Sequence, residues 1–204
     1  ANDHMTFISV AANDVRQIGT GLKDGGSSVA AAGGALIFLE EQVASTSSTV
    51  LLSVTFDTTY DVYLIVWDDL VHSTSSSFHL RTRLTSGSSI DTSTSYANVQ
   101  VGIDAGTAAT ILLASDDGVQ AFAPIGTNGA VSRGSGFMYI QNMPDADFAN
   151  GYGQTCYFDG GNDLNMTSFG WMHHDASATD GIQFHPESGT FTTGNFRLYG
   201  VSKS

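Results

Sequence analysis

From residue 35 to the end of the chain, apolar and polar residues alternate with a period of two in one short run after another, each run stopped by Gly, Ser, Asn or Asp. Such alternation argues against a helical fold, because period two lines one face of a strand, whereas a helix face needs spacings of three and four. Residues 50–56 set Val50, Leu52, Val54 and Phe56 against Leu51, Ser53 and Thr55. Residues 78–84 put Phe78, Leu80, Thr82 and Leu84 inward and His79, Arg81 and Arg83 outward. Residues 60–70 are apolar on both faces, which predicts a central strand covered on both sides. Further runs lie at 35–40, 96–103, 110–114, 119–123, 136–143, 154–158, 166–173, 181–185 and 195–201. Ten or eleven short strands at this spacing predict an all-β sandwich or barrel. No fixed-period repeat points to a propeller or solenoid.

The most strongly patterned stretch is the last, residues 180–201. Two alternating runs flank a middle rich in Pro186, Ser188, Gly189 and Gly194, which reads as a closing hairpin that pins the chain end into a sheet. On its final strand Phe196 and Leu198 share one face, the core side, and Arg197 and Tyr199 share the other.

The start of the chain is different. Phe7, Ala11, Val15, Ile18 and Leu22 are spaced as on a helix face, although Gly19 and Gly21 oppose a helix and residues 7–10 fit a short strand equally well. Residues 24–34, DGGSSVAAAGG, read as a flexible linker, so residues 1–34 form an arm and residues 35–204 the folded domain. Such an arm pairs either with another subunit or within its own domain. The opening Ala1-Asn2-Asp3-His4 is read as additional to a native start at Met5, and no basic region followed by a long apolar stretch marks a secretory leader.

Composition narrows the partners. The formal charge is −13, with only seven Lys and Arg scattered along the chain, which argues against nucleic acid or an anionic membrane. The longest apolar runs, 35–39 and 64–67, are far too short to span a bilayer as helices. One cysteine, Cys156, rules out an intrachain disulfide framework and is expected to be a buried, inert thiol.

Three segments together resemble a group of small bacteriophage virion proteins of the structural or tail-fibre type. They are Phe56-Asp-Thr-Thr-Tyr-Asp-Val-Tyr-Leu-Ile65, the strand and loop from His79 to Gly87 followed by Tyr96, and the closing Ser188 to Val201, of which GNFRLYGV is the specific part. The resemblance covers most of residues 48–201 and leaves out the arm. It implies a jelly-roll-like domain in a virus particle, multimeric and without enzymatic activity. Independently, Tyr60 and Tyr63 are expected to pack their rings inward and send their hydroxyls to backbone groups of the preceding turn. The segment 186–194 is long enough to cross between two sheets, with Phe191 plugging the end of the sandwich or standing exposed at a tip.

Candidate chemistry is sparse. Asp145, Asp147, Asp159 and Asp163, with Asn150, offer oxygen ligands in Gly-rich turns that suit calcium, and the same residues are what tight turns demand. His173, His174 and Asp175 with His185 are the one cluster that suggests another metal, but adjacent strand histidines point to opposite faces. Ser135 lies between two glycines without the pattern of a nucleophile elbow, and no two carboxylates can be placed across a cleft. The expectation is no catalytic residue, no cofactor and no metal. Tyr152, Trp171, Phe191 and Tyr199 are the aromatics proposed for an interface or a ligand; Trp67, Trp171, Tyr152 and Tyr157 could together form a stacking platform for a sugar, although core packing is expected of most of them. With the resemblance, the expectation is a phage structural subunit of the tail apparatus or capsid surface, self-assembling as a homotrimer and docking to other virion proteins. The alternative is a module that binds a host surface glycan.

Overall fold

The computed structural model of the chain describes residues 8–11, 14–16, 36–53, 56–74, 76–118, 121–127, 133–143, 145, 147–158 and 163–202. These residues contain strands and no helix. The chain divides into two units, Ala1–Ala35 and Leu36–Ser204. In the first, β1 (Ile8–Ala11) pairs antiparallel with β2 (Asp14–Arg16), so the strand option rather than the helix holds there.

The second unit holds twelve strands: β3 (Leu36–Ser47), β4 (Val50–Leu52), β5 (Val62–His72), β6 (Ser76–Leu84), β7 (Tyr96–Asp104), β8 (Ala109–Gly118), β9 (Ala121–Thr127), β10 (Gly134–Gln141), β11 (Ala149–Phe158), β12 (Leu164–His173), β13 (Thr179–Pro186) and β14 (Phe191–Val201). They form an eight-stranded sheet, β3-β14-β5-β10-β11-β12-β7-β8, and a four-stranded sheet, β4-β13-β6-β9, antiparallel throughout. Without β7, β8, β11 and β12, the remaining order is β3-β14-β5-β10 against β4-β13-β6-β9. First strand beside last, second beside second-to-last, is the double Greek key of a jelly roll. The four extra strands are two hairpins, one inserted between β6 and β9 and one between β10 and β13, and both add to the same sheet.

The closing pair is not a hairpin. β13 lies in the small sheet and β14 in the large one, so the crossing is made by 187–190, and Phe191 to Gly194 are already strand. A jelly roll requires this corner, because two strands hydrogen-bonded to each other would lie in one sheet. Gly189 has φ 75° in the crossing, a left-handed conformation that side chains rarely tolerate. β14 runs antiparallel to β3 from Phe191 beside Ser47 to Val201 beside Leu36.

Between the sheets the core is aromatic. Phe184 of β13 stacks on Phe196 of β14 at 4.9 Å, and Phe78 of β6 meets Trp67 of β5 edge-on at 5.5 Å. Phe78, Phe184, Phe191 and Phe196 are fully buried, as are Ile65 and Leu198. Phe191 therefore plugs the sandwich and is not available to a ligand. Tyr63 packs against Phe56 at 4.6 Å, and its hydroxyl donates to the Asp57 carbonyl and accepts from the Asp57 N–H, both at 2.8 Å. Burial raises the Tyr63 hydroxyl above its ordinary pKa, which keeps it a donor. Tyr60 lies 5.7 Å from Tyr63 and covers Gly200, where a Cβ would stand 2.6 Å from its ring. At 68–70 a bulge with Asp69 at φ 53° shifts the register of β5, so that Leu70 and His72 return to the core side.

Candidate functional site

On β7 the usual in–out pattern is inverted, and β11 and β12 share part of the inversion. β7 turns Tyr96, Asn98 and Gln100 inward and leaves Val99, Val101 and Ile103 exposed, at 60%, 51% and 63%. β12 buries Asn165, Thr167, Phe169, Trp171 and His173 and exposes Leu164 and Met166; β11 buries Thr155 and Tyr157 and exposes Tyr152 and Phe158. The inner faces of β7, β11 and β12 lie against β9. There Asn98 Nδ2, Gln100 Oε1, Thr167 Oγ1 and Trp171 Nε1 are buried without a hydrogen-bond partner. Parity explains the inversion: Tyr96 must enter the core, and Asn98 and Gln100 follow it.

Tyr96 is the anchor. Its hydroxyl binds the Thr82 N–H and Thr82 Oγ1 at 3.0 Å each and donates to the Asp91 carbonyl at 3.1 Å. Burial pushes this phenol up to about 12. Beside it His173 Nε2 meets Asp91 Oδ2 at 2.5 Å, and Asp91 also accepts from the N–H and hydroxyl of Ser93 at 2.8 and 2.9 Å.

The outer surface of the large sheet is thus apolar over β7, β11 and β12. One row of laterally paired residues crosses all eight strands: Ala114, Val99, Gly170 and Tyr152, then Tyr139, Leu64, Tyr199 and Phe38. At the spacing of hydrogen-bonded strands it is roughly 34 Å long. Tyr152 and Tyr139 lie 5.6 Å apart, and Tyr199 meets Phe38 edge-on at 5.8 Å. No outward position of β7, β10, β11 or β12 carries Asp, Glu, Lys or Arg. Charge appears toward β3, where Arg197 binds Asp68 and, at 2.8 Å, Glu41, while Asn195 donates to Asp68 at 2.8 Å. Burial alone would raise the Asp68 carboxyl, but its bonds from Asn195 and Arg197 hold it below its ordinary range. Three shallow grooves mark the face. One, of about 630 Å³, runs over Ser168 and Gly170 between Val99 and Val101 on one side and Tyr139 and Tyr152 on the other. The second, of about 690 Å³, is bordered by Ala97, Ala114, Gly170 and Met172. The third, of about 520 Å³, lies over Val66, Phe137, Cys156 and Met166.

The structure sorts the residues singled out in the sequence. Tyr152 is exposed at 56% on this face and Tyr199 is half-buried on it. Trp171, proposed for an interface or ligand, is buried at 4%: its indole covers the inward-facing Gly151, where a Cβ would meet Nε1 at 2.6 Å. Cys156 is exposed, not buried, because Thr155 and Tyr157 take the inward positions of β11. His173 and His174 point apart, to Asp91 and to the Thr94 carbonyl at 3.4 Å, and His185 is on the other sheet. Ser135 stands exposed in mid-strand on β10. Asp145 and Asp147 are exposed, Asp163 lies against Gly106 of the β7–β8 turn, and Asp159 falls outside the described residues. Among the described residues no three His, Cys, Asp or Glu side chains gather closely enough to hold a metal ion.

On the outer side of the small sheet, His79 and His185 are laterally paired with rings 5.4 Å apart. Burial, then His185 and Arg81, depress His79 from 6.5 to about 4; burial and Arg81 lower His185 as well. The unfolded chain therefore takes up the His79 proton first on acidification. Stability contributed by neutral His79 is complete above about pH 6.5 and is lost as pH falls toward 4, by on the order of 2 kcal/mol. Urea unfolding at pH 7.5 and 4.5 is expected to show this loss, and His79→Phe to remove most of it. An unchanged slope in that variant sinks the assignment.

Comparison with protein-family models, with curated proteins and with solved structures finds no match for this chain.

Proposed function

We propose that the chain is a non-enzymatic structural subunit of a bacteriophage virion, in the tail or fibre apparatus or on the capsid surface, working by self-assembly and docking to the particle. The observation that carries the assembly part is the uncharged apolar face on β7, β10, β11 and β12 in a chain of formal charge −13. Apolar surface of this extent on one side of a sheet marks a contact that is covered in the working state. The virion part rests on the resemblance of the closing GNFRLYGV strand and the two earlier segments. Mass spectrometry of density-banded particles from a host carrying the gene tests it: the chain is expected in stoichiometric amount, and its absence from every particle fraction sinks the reading.

A second reading, a host-glycan module, is favoured by the Tyr139–Tyr152 pair beside Gln154, whose Nε2 donates to Ser168 Oγ at 3.2 Å. Exposed tyrosine rings next to an amide side chain can hold a sugar ring. A glycan array with the assembled protein decides it, and binding no higher than that of Tyr152→Ala removes it.

A further inference from the structure

We infer that the outer face of β8-β7-β12-β11 is a two-fold contact between two copies of this chain, built by the two inserted hairpins. The inference rests on the assembly reading and names its partner and geometry.

The first argument is charge. Copies of a chain at −13 repel one another, so they can meet only where their surface is uncharged. The outward positions of β7, β11 and β12 supply such a surface, while Arg197, Asp68 and Glu41 lie beyond β10. A partner recognised through salt bridges would find no charged residue at the outward positions of β7, β11 and β12.

The second is area. The large exposed side chains on β7, β11 and β12, from Ile103 at 63% to Phe158 at 45%, offer on the order of 700 Å² of mostly apolar surface. A stable interface buries roughly 800 Å² per partner.

The third is relief. Val99, Val101 and Ile103 form a ridge on β7; the next strand, β12, has a groove floored by Ser168 and Gly170; beyond it Tyr152 forms a second ridge on β11. On the other side of β7, β8 presents the small Ala114. A two-fold axis parallel to the strands and midway between β7 and β12 exchanges these positions between copies. Each β7 ridge then lies over the partner's β12 groove, and each Tyr152 over the partner's Ala114. Ridge meets groove at both places with one operation, the self-complementarity an isologous contact needs. Sheets stacked in this way pack about 10 Å apart.

Neither inserted hairpin is required to close the jelly roll, yet both extend the same sheet and both turn apolar residues outward. Their inner faces, by contrast, spend buried positions on Asn98, Gln100 and Thr167.

The test uses the full chain, with light scattering for mass and maleimide labelling of Cys156, which is exposed on β11 within the face. Wild type is expected at twice 21.4 kDa, with Cys156 protected in the pair and labelled at least tenfold faster on dilution. Val101→Asp puts a charge on the ridge. Gly170→Trp fills the groove, and since a Cβ at Gly170 meets nothing closer than 3.7 Å, it leaves the isolated fold undisturbed. Both variants are expected at monomer mass with fast labelling and an intact strand signal in circular dichroism. Val43→Asp, on β3 and outside the contact, is expected to remain paired. A trimer insensitive to both variants overturns this contact and leaves the assembly reading standing. A monomer with a protected Cys156 also overturns it. A monomer with free Cys156 overturns the contact, and if the particle assay is negative as well, the assembly reading falls with it.

Discussion

Trp67→Ala is expected to lower the unfolding free energy by about 3 to 5 kcal/mol and the melting temperature by roughly 10 °C. Trp67 sits on β5, inside the eight-stranded sheet, and is 1% exposed. Its indole rests on Gly136 of β10, where a Cβ would come within 2.5 Å of the ring, and faces Phe78, Phe169 and Phe184 at 5.5, 6.3 and 6.5 Å. Because its Nε1 is buried without a hydrogen-bond partner, alanine removes packing and no polar contact. The loss is therefore a cavity effect, and Trp67→Phe, which refills most of the volume, is expected to recover at least half of it. Urea unfolding of the three proteins measures this. A loss under 1 kcal/mol for alanine contradicts a packed sandwich at this position.

The second large effect is at Asp91, 7% exposed and bound by Ser93 and His173. Burial alone would raise its carboxyl, but the Ser93 N–H, His173 and the Ser93 hydroxyl together hold it below its ordinary 3.8. Asp91→Ala leaves the fully buried His173 with neither ring nitrogen paired, since Nδ1 has no partner in the intact protein. The expected cost is about 3 kcal/mol. His173→Phe in the Asp91→Ala background is expected to restore part of it, because the orphaned imidazole is then gone. A double-mutant cycle showing simple additivity refutes the pairing. The carboxyl adds its own acid limb: a depressed folded pKa contributes stability above 3.8 that disappears as pH falls through the folded value. This limb lies below the His79 limb at 6.5 to 4, so Asp91→Ala and His79→Phe are expected to flatten different parts of one stability curve.

Strand existence was legible wherever β-branched and aromatic residues alternate without interruption. β6 and β14 show the faces expected of them: Phe78, Leu80, Phe196 and Leu198 are buried, and Arg81 and Arg197 turn outward. Glycine hid the rest. The first half of β11 reads as a turn because of Gly151 and Gly153, which are inward positions kept bare for Trp171 and Met138 of the neighbouring strands. Sheet membership was legible only in part: alternation is the same on either side of a corner, so the closing runs read as a hairpin, while the length of 186–194 pointed to the crossing that puts β13 and β14 in opposite sheets. The candidate face was hidden most completely. In residues 96–103 two sets alternate, and placing the apolar set inside, as a sheet usually does, sends Val99, Val101 and Ile103 the wrong way. Only Tyr96 decides the matter, through bonds to Thr82 and Asp91 that no local pattern announces.

The pairing of Leu36 with Val201 has a consequence for how the sandwich can be attached to anything larger. The polypeptide enters on β3 and leaves on β14 as nearest neighbours at one end of one sheet, on the side away from the inserted hairpins. Whatever precedes Leu36 and whatever follows Val201 therefore departs from a single corner of the sandwich. Any larger assembly that carries the sandwich by its chain ends therefore holds it by the β3–β14 edge and leaves the β7–β8 edge at the opposite side.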